Sequence, residues 1–334
     1  MSLPELKYCP GTLAEGFKTY SPECIRNLFY GKMVSHVLPF TSPHESEDVV
    51  ELFMENIKHI SISGVQQKLS LVQENKLLRL TNANEQGTHI LKPIPSLLRK
   101  ANQMPANEHL TMQIAKQVYC INTADNAMIF FKDGTPAYIT KRFDVKPDGS
   151  RLGKEDFATL AGKSKHNSDE NYKYNFSYEE LGLLIQKYVP VWKVEIENYF
   201  SLVVFNFLFS NGDAHLKNFA LIEDPHGDYI FSPAYDLINS RIHVDDSDFA
   251  FDKGLFTDDF KSENFKKSNH PCKEDFIELG KRIGLKENRT EKLIQPFLEK
   301  QPRVEILLSR SFLNDAGKRA YQFIYNTKRN FLIA

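Results

Sequence analysis

Asn211-Gly-Asp213-Ala-His215-Leu-Lys217-Asn218, with the Ala234-Tyr-Asp236-Leu237 that follows it, is the stretch on which the fold turns. Between the two runs, 219–222 and 229–231 are short, apolar and aromatic. The Glu-Asp-Pro-His-Gly-Asp that joins them favours a reversal, because Pro fixes φ at a turn value and Gly accepts positive φ. The reading is a β-hairpin. A hairpin returns the chain beside its start, so Asp236 is expected near Asn218, with two oxygen-bearing side chains converging. Upstream, Phe200-Ser-Leu-Val-Val-Phe-Asn-Phe-Leu-Phe209 is about half the length of a bilayer span and contains Asn206, so it reads as part of a buried helix over 191–210.

Further upstream the periodicity is that of strands. Segments 68–73, 76–81, 89–92, 127–131 and 136–143 are apolar or alternating and bounded by Asn, Gly or Pro. One helix crosses them, over 106–119, where Leu110, Ile114 and Val118 draw an apolar stripe. Another, over 45–57, puts Val49, Val50, Phe53 and Ile57 on one face. Downstream the pattern turns helical over 178–188, 273–283, 289–298 and 303–331, while 163–175 is polar and unpatterned and reads as a surface loop without an assigned role. The expectation is an α+β chain of two lobes: β-rich over 1–138, a hinge over 139–146, and helical over 147–334.

The 334 residues are 41% hydrophobic and 25% charged, ordinary globular values that exclude a disordered, collagenous or coiled-coil chain. Acidic and basic residues balance, 43 against 42, so no global basic field draws the chain onto nucleic acid or an anionic membrane, and direct contact with either is not expected. Cys9, Cys24, Cys120 and Cys272 are widely spaced, which suits unpaired thiols in a reducing cytoplasm. The start MSLPELKYCPG has neither a basic region nor an apolar run, so it does not read as an export signal.

In protein kinases an Asp orients the acceptor hydroxyl, an Asn in the pattern Asp-x-x-x-x-Asn binds Mg2+, and a second Asp beyond two short strands binds the metal that bridges the phosphates. Asp213, Asn218 and Asp236 fall in that order and spacing. His215 stands where ordinary Ser/Thr kinases often carry a phosphate-facing Lys, and Asp-x-His-x-x-Asn resembles the loop of atypical kinases, among them the phosphoinositide kinases and the aminoglycoside and choline phosphotransferases. Upstream, Ile90-Leu-Lys92 ends a strand in a cation, and Glu108 opens the next helix, the arrangement that holds a phosphate-binding Lys by an ion pair. Ser61-Ile-Ser63-Gly64-Val-Gln66-Gln-Lys68 lies where a kinase places its nucleotide-covering loop; with one glycine, its hydroxyls, the Gln66 amide and the Lys68 ammonium must help hold phosphate.

That run, followed by ILKP, Asn107-Glu108, Lys141-Arg-Phe143-Asp144, Glu155-Asp-Phe157, D-x-H-x-K-N and A-Y-D-L, resembles the HipA family of bacterial toxin kinases. The resemblance implies a two-lobed kinase fold, with ATP and Mg2+ as cofactors and Asp213, His215 and Lys217 in the catalytic loop. Asn218 and Asp236 match the metal ligands. Ser61, Ser63, Gly64, Gln66, Lys68, Lys92, Glu108, Lys141 and Phe143 match the nucleotide site, the last two as its adenine hinge. Ser61 falls on the family's self-phosphorylated serine and Ser63 offers a second acceptor; a phosphate there brings about two negative charges into the loop and opposes nucleotide binding. By the same resemblance the substrate is an aminoacyl-tRNA synthetase. Only about 60 residues precede the Ser61 loop, which looks like the short, HipT-like branch, whose partners are a small HipS-like antitoxin and a HipB-like helix-turn-helix protein. Two alternatives stand beside this reading: a small-molecule phosphotransferase sharing the Asp-x-His-x-x-Asn loop, and a non-catalytic subunit of a repressor complex.

Overall fold

The computed structural model describes residues 5–42, 67–82, 85–95, 98–146, 148–164 and 171–334. The helix expected over 45–57 and the loop residues Ser61, Ser63, Gly64 and Gln66 lie outside the described residues. The alternating segments form one antiparallel sheet of β1 (Leu69–Glu74), β2 (Leu77–Leu80), β3 (His89–Lys92), β4 (Asn126–Phe130) and β5 (Pro136–Lys141), in the order β2-β1-β3-β5-β4. Successive strand residues alternate faces. Leu71, Leu91, Ala127, Ile129 and Ile139 therefore pack on Leu28, Phe29 and Leu38 of the N-terminal segment. That segment carries α1 (Pro22–Leu28), whose N-cap Ser21 accepts from the Cys24 N–H at 3.3 Å.

The opposite face of the sheet, with Met128 and Tyr138, lies against α2 (Met104–Gln117). The sequence predicts a one-sided stripe here, whereas every residue from Met104 to Ala115 is buried. The cause is tertiary. The sheet covers one side of α2, and the other side meets the C-terminal helices, where Thr111 and Tyr321 share a hydrogen bond of 2.9 Å. The polar residues of the helix are thereby forced into partnerships.

The second half begins with β6 (Lys154–Asp156) and the single turn α3 (Phe157–Leu160), followed by α4 (Tyr178–Tyr188) and α5 (Trp192–Leu208). The expected hairpin is present as β7 (Ala220–Glu223) and β8 (Tyr229–Phe231), with Leu221 opposite Phe231 and Glu223 opposite Tyr229, and β6 adds a third strand. Then come α6 (Glu263–Ser268), α7 (Lys273–Arg282), α8 (Glu287–Leu298), α9 (Pro302–Arg310) and α10 (Asp315–Ile333). The last two replace the single helix predicted over 303–331. Asn314 interrupts it by capping α10, accepting from the Gly317 N–H at 2.7 Å, while its own N–H donates to Oε1 of Gln103, the residue just before α2, at 2.8 Å. The many aromatic residues fill this half: Phe209 stacks on Tyr325 at 5.1 Å, and Phe207 meets Phe249 and Phe276. Among the described residues no helix is long and apolar enough to cross a membrane.

Candidate functional site

The loop after α5 is shaped by that buried helix. Asn206, the one carboxamide in its apolar run, accepts the Asn211 N–H on its carbonyl at 2.8 Å and the Asn211 side chain on its own at 3.0 Å. Ser210 adopts φ +52 to make the turn. Gly212 follows, where a Cβ would stand 2.7 Å from the carboxyl carbon of Asp246, so a larger residue would have to displace that side chain. Its N–H donates to Ser240 Oγ at 2.9 Å. His215 and Asn218 then close a reciprocal cap: the His215 ring accepts the Lys217 N–H at 3.3 Å, and Asn218 Oδ1 accepts the His215 N–H at 3.2 Å.

The hairpin does bring Asp236 back to this loop. Asn218 Nδ2 lies 3.5 Å from Asp236 Oδ2, and the Tyr235 hydroxyl donates to the Lys217 carbonyl at 2.8 Å. Asp236 itself has φ +56, a left-handed conformation that a non-glycine residue holds only when its surroundings fix it. From the other half, Lys92 at the end of β3 reaches Glu108 Oε1 at 2.5 Å and also bonds Asp236 Oδ1. Lys68 reaches Asp236 Oδ2 at 3.3 Å. Five residues expected at the site from the sequence, Lys68, Lys92, Glu108, Asn218 and Asp236, thus form one contiguous charge cluster.

Burial disfavours the Asp236 carboxylate, but the Lys92 and Lys68 ammonium groups outweigh it and hold the carboxyl well below its usual range. Burial likewise opposes charge on Lys92, and the two carboxylates flanking it reverse that and keep it protonated. The His215 ring, pushed down to about 3 by burial and by nearby Lys173, is neutral. Its Nδ1 accepts the Lys217 N–H, so the proton is on Nε2, 4.0 Å from Asp213 Oδ1. That same Asp213 oxygen accepts the Tyr174 hydroxyl at 2.8 Å. Lys217 has an exposed side chain and contributes to the loop through its backbone.

Two residues assigned to the adenine hinge separate. Phe143 lies 5.7 Å from the Tyr235 ring, with the Lys154 ammonium over both rings, beside Asp236. Lys141 departs from the expectation. Lys92 pairs with Tyr138 and His89 with Lys141, so the pleat puts the Lys141 side chain on the face opposite Lys92. There its ammonium donates to the Asn27 carbonyl at 3.0 Å and sits 4.0 Å from the Tyr30 ring.

Asp236 and Asn218 offer a carboxylate and a carboxamide, hard donors of the kind Mg2+ takes together with phosphate oxygens and water. No group of three or more His, Cys, Asp or Glu gathers among the described residues, so a cation there would need oxygens from its ligand. The two halves are tied beside this cluster. Asn107 Nδ2 donates to the Asn239 carbonyl at 2.9 Å and to His243 Nε2 at 2.9 Å, and Asn107 Oδ1 accepts the Asn239 N–H at 3.2 Å. Tyr174, Lys154, Asn239 and His243 were not singled out from the sequence. Tyr174 lies in a stretch without periodicity, and the only signal for the partnership of Asn107 is its place in the Asn-Glu pair one turn into α2.

A family model described as the HipA-like C-terminal domain matches residues 60–304, which includes every member of the cluster. A Haemophilus influenzae protein named as a putative kinase is 25% identical over 313 residues, covering 90% of this chain and 88% of its own. The serine/threonine-protein kinase toxin HipA of Shewanella oneidensis is 27% identical over 202 residues, covering 56% of this chain and 44% of its own. The Shewanella oneidensis HipA structure, solved with HipB and operator DNA, superposes with a TM-score of 0.63 at 20% identity, covering 89% of this chain and 73% of that one, and so shares the fold. With its domain model spanning most of the molecule and its motifs assembled into one cluster, the chain belongs to the HipA-like C-terminal domain family.

Proposed function

We propose that the chain is an ATP- and Mg2+-dependent kinase that phosphorylates serine or threonine on a protein, acting as the toxin of a toxin–antitoxin system. The observation that carries this reading is Lys92 held between Glu108 and Asp236, with Asn218 beside the same carboxylate. Phosphoryl transfer asks a protein mainly for positioning and for positive charge aimed at phosphate oxygens. Lys92 and Lys68, both bonded to Asp236, supply the charge. Mg2+, held by Asp236 and Asn218, would neutralise charge on the β- and γ-phosphates. The acceptor oxygen bonds to the γ-phosphorus, the bond to the bridging oxygen breaks as ADP leaves, and the hydroxyl proton passes to Asp213. Neutral His215 places no positive charge beside that base while its Nε2–H faces it.

The remaining parts of the reading follow the relatives. The Shewanella oneidensis HipA structure is a complex with HipB and operator DNA, which supports a HipB-like helix-turn-helix partner that carries the DNA contact. A HipS-like antitoxin, an aminoacyl-tRNA synthetase as substrate, phosphorylation of Ser61 and Ser63, and action in the cytoplasm complete it. The test is intact-mass analysis after incubation with Mg·ATP. One or two phosphates at Ser61 and Ser63, absent in Asp213→Ala and Asp236→Ala, are expected. A chain that stays unmodified yet phosphorylates an aminoglycoside or choline is instead a small-molecule phosphotransferase, and failure to bind Mg·ATP in calorimetry leaves a non-catalytic subunit.

A further inference from the structure

Tyr174 is placed with unusual definition for a residue of a polar loop. Its N–H donates to the Asn171 carbonyl at 2.8 Å, its carbonyl accepts from Asp252 at 3.0 Å and from Phe176 at 2.8 Å, and the neighbouring Lys173 carbonyl accepts the Leu216 N–H at 3.2 Å. The segment is thus bonded to the catalytic loop on one side and to residue 252 on the other. Its ring meets His215 edge-on at 5.2 Å, and its hydroxyl donates to Asp213 Oδ1 at 2.8 Å. Asp213 is only 9% exposed.

A base that takes a proton from an acceptor must first accept a hydrogen bond from that acceptor's hydroxyl, at about 2.6–3.2 Å. The Tyr174 phenol already makes that bond. We propose that Tyr174 stands in the acceptor-hydroxyl position and gates it, so that an incoming serine or threonine hydroxyl has to displace the phenol from Asp213 before transfer. This inference rests on the kinase reading. It adds an acceptor subsite bounded by Asp213, His215 and Tyr174, and selects acceptors whose hydroxyl arrives on a segment able to push the turn at 171–176 aside. The transfer itself is unchanged: the acceptor oxygen bonds to the γ-phosphorus, ADP leaves, and the acceptor's proton goes to Asp213 Oδ1 once the phenol has withdrawn.

Tyr174→Phe keeps the ring against His215 and removes only the hydroxyl. ADP release to water and phosphate incorporation at Ser61 and Ser63 are measured for wild type, Tyr174→Phe and Asp213→Ala, with Mg·ATP as donor and thermal midpoints as the check on folding. The expected result is a rate at least threefold higher in Tyr174→Phe, with the KM for ATP unchanged within twofold. A phosphate found on Tyr174 itself in wild type supports the same placement. An active wild type with an equal or slower Tyr174→Phe overturns the gate and leaves the phenol as a support for Asp213. If wild type and Tyr174→Phe are both as inactive as Asp213→Ala, the kinase reading falls, and the gate with it.

Discussion

Lys92 is the residue whose environment decides most. Buried at 3% exposure, it is shared by Glu108 and Asp236, two carboxylates taken from opposite halves of the molecule, with Lys68 the second cation on Asp236. Removing one partner from such a buried arrangement leaves uncompensated charge, which typically destabilises by about 3–5 kcal/mol. Lys92→Met is therefore expected to lower the denaturant midpoint by that order as well as to reduce ADP release by at least about 100-fold. An unchanged midpoint in urea would show that the two carboxylates do not depend on it. Asn107 carries a second residue-scale expectation. Asn107→Ala strands the Asn239 N–H and one nitrogen of His243 in the interior, a loss of about 1–3 kcal/mol, and loosens Glu108 next to it. Both a lower midpoint and slower phosphotransfer should follow, the second measured at saturating ATP.

Among the elements, the hairpin and the helix α2 show how much the sequence discloses. The hairpin is legible because its cause is local: Gly227 takes φ +88 and Asp224 Oδ1 accepts the His226 and Asp228 N–H groups at 2.8 and 3.0 Å. The proximity of Asn218 and Asp236 follows from the turn alone. The Lys92–Glu108 pair is legible for a different reason, the kinase order of a strand-end Lys followed by a helix Glu, here 16 residues apart. The burial of α2 is not, because Thr111 and Gln103 find partners in Tyr321 and Asn314, more than two hundred residues away. The facing of Lys141 is readable in principle from strand parity against Tyr138, but the motif that drew it into the site ignores the pleat. The break between α9 and α10 has only Asn314 as its signal. Asn314→Ala should cost about 1 kcal/mol of cap and lower Tm by about 2 °C, with ADP release untouched; a matched loss of activity would mean that the cap supports the site.

At the scale of the whole molecule, four interior histidines among the described residues set the response to acid. His89, His109 and His243 are pushed down to about 4 and His215 to about 3, each first of all by burial. His89 donates Nε2–H to the Leu28 carbonyl at 2.9 Å, and His243 uses both ring nitrogens, on Arg99 and Asn107. The unfolded chain binds protons on these rings near pH 6.5 whereas the folded one does not, so stability is full above that pH and falls as pH drops from about 6.5 toward 4. Differential scanning calorimetry should show Tm lower by at least about 5 °C at pH 5 than at pH 7.5; a flat profile would mean that the rings protonate freely in the folded protein. One of these rings, His243, belongs to the tie between α2 and the segment after Asp236. Many kinases are silenced by swinging the corresponding helix and its Glu out of place. Here that helix is core to both halves and has nowhere to swing without unfolding them. On the proposed kinase reading, an inhibitor of this chain acts at the Lys92–Asp236 cluster and not by displacing α2, and resistance to it is expected to arise from residues around that cluster.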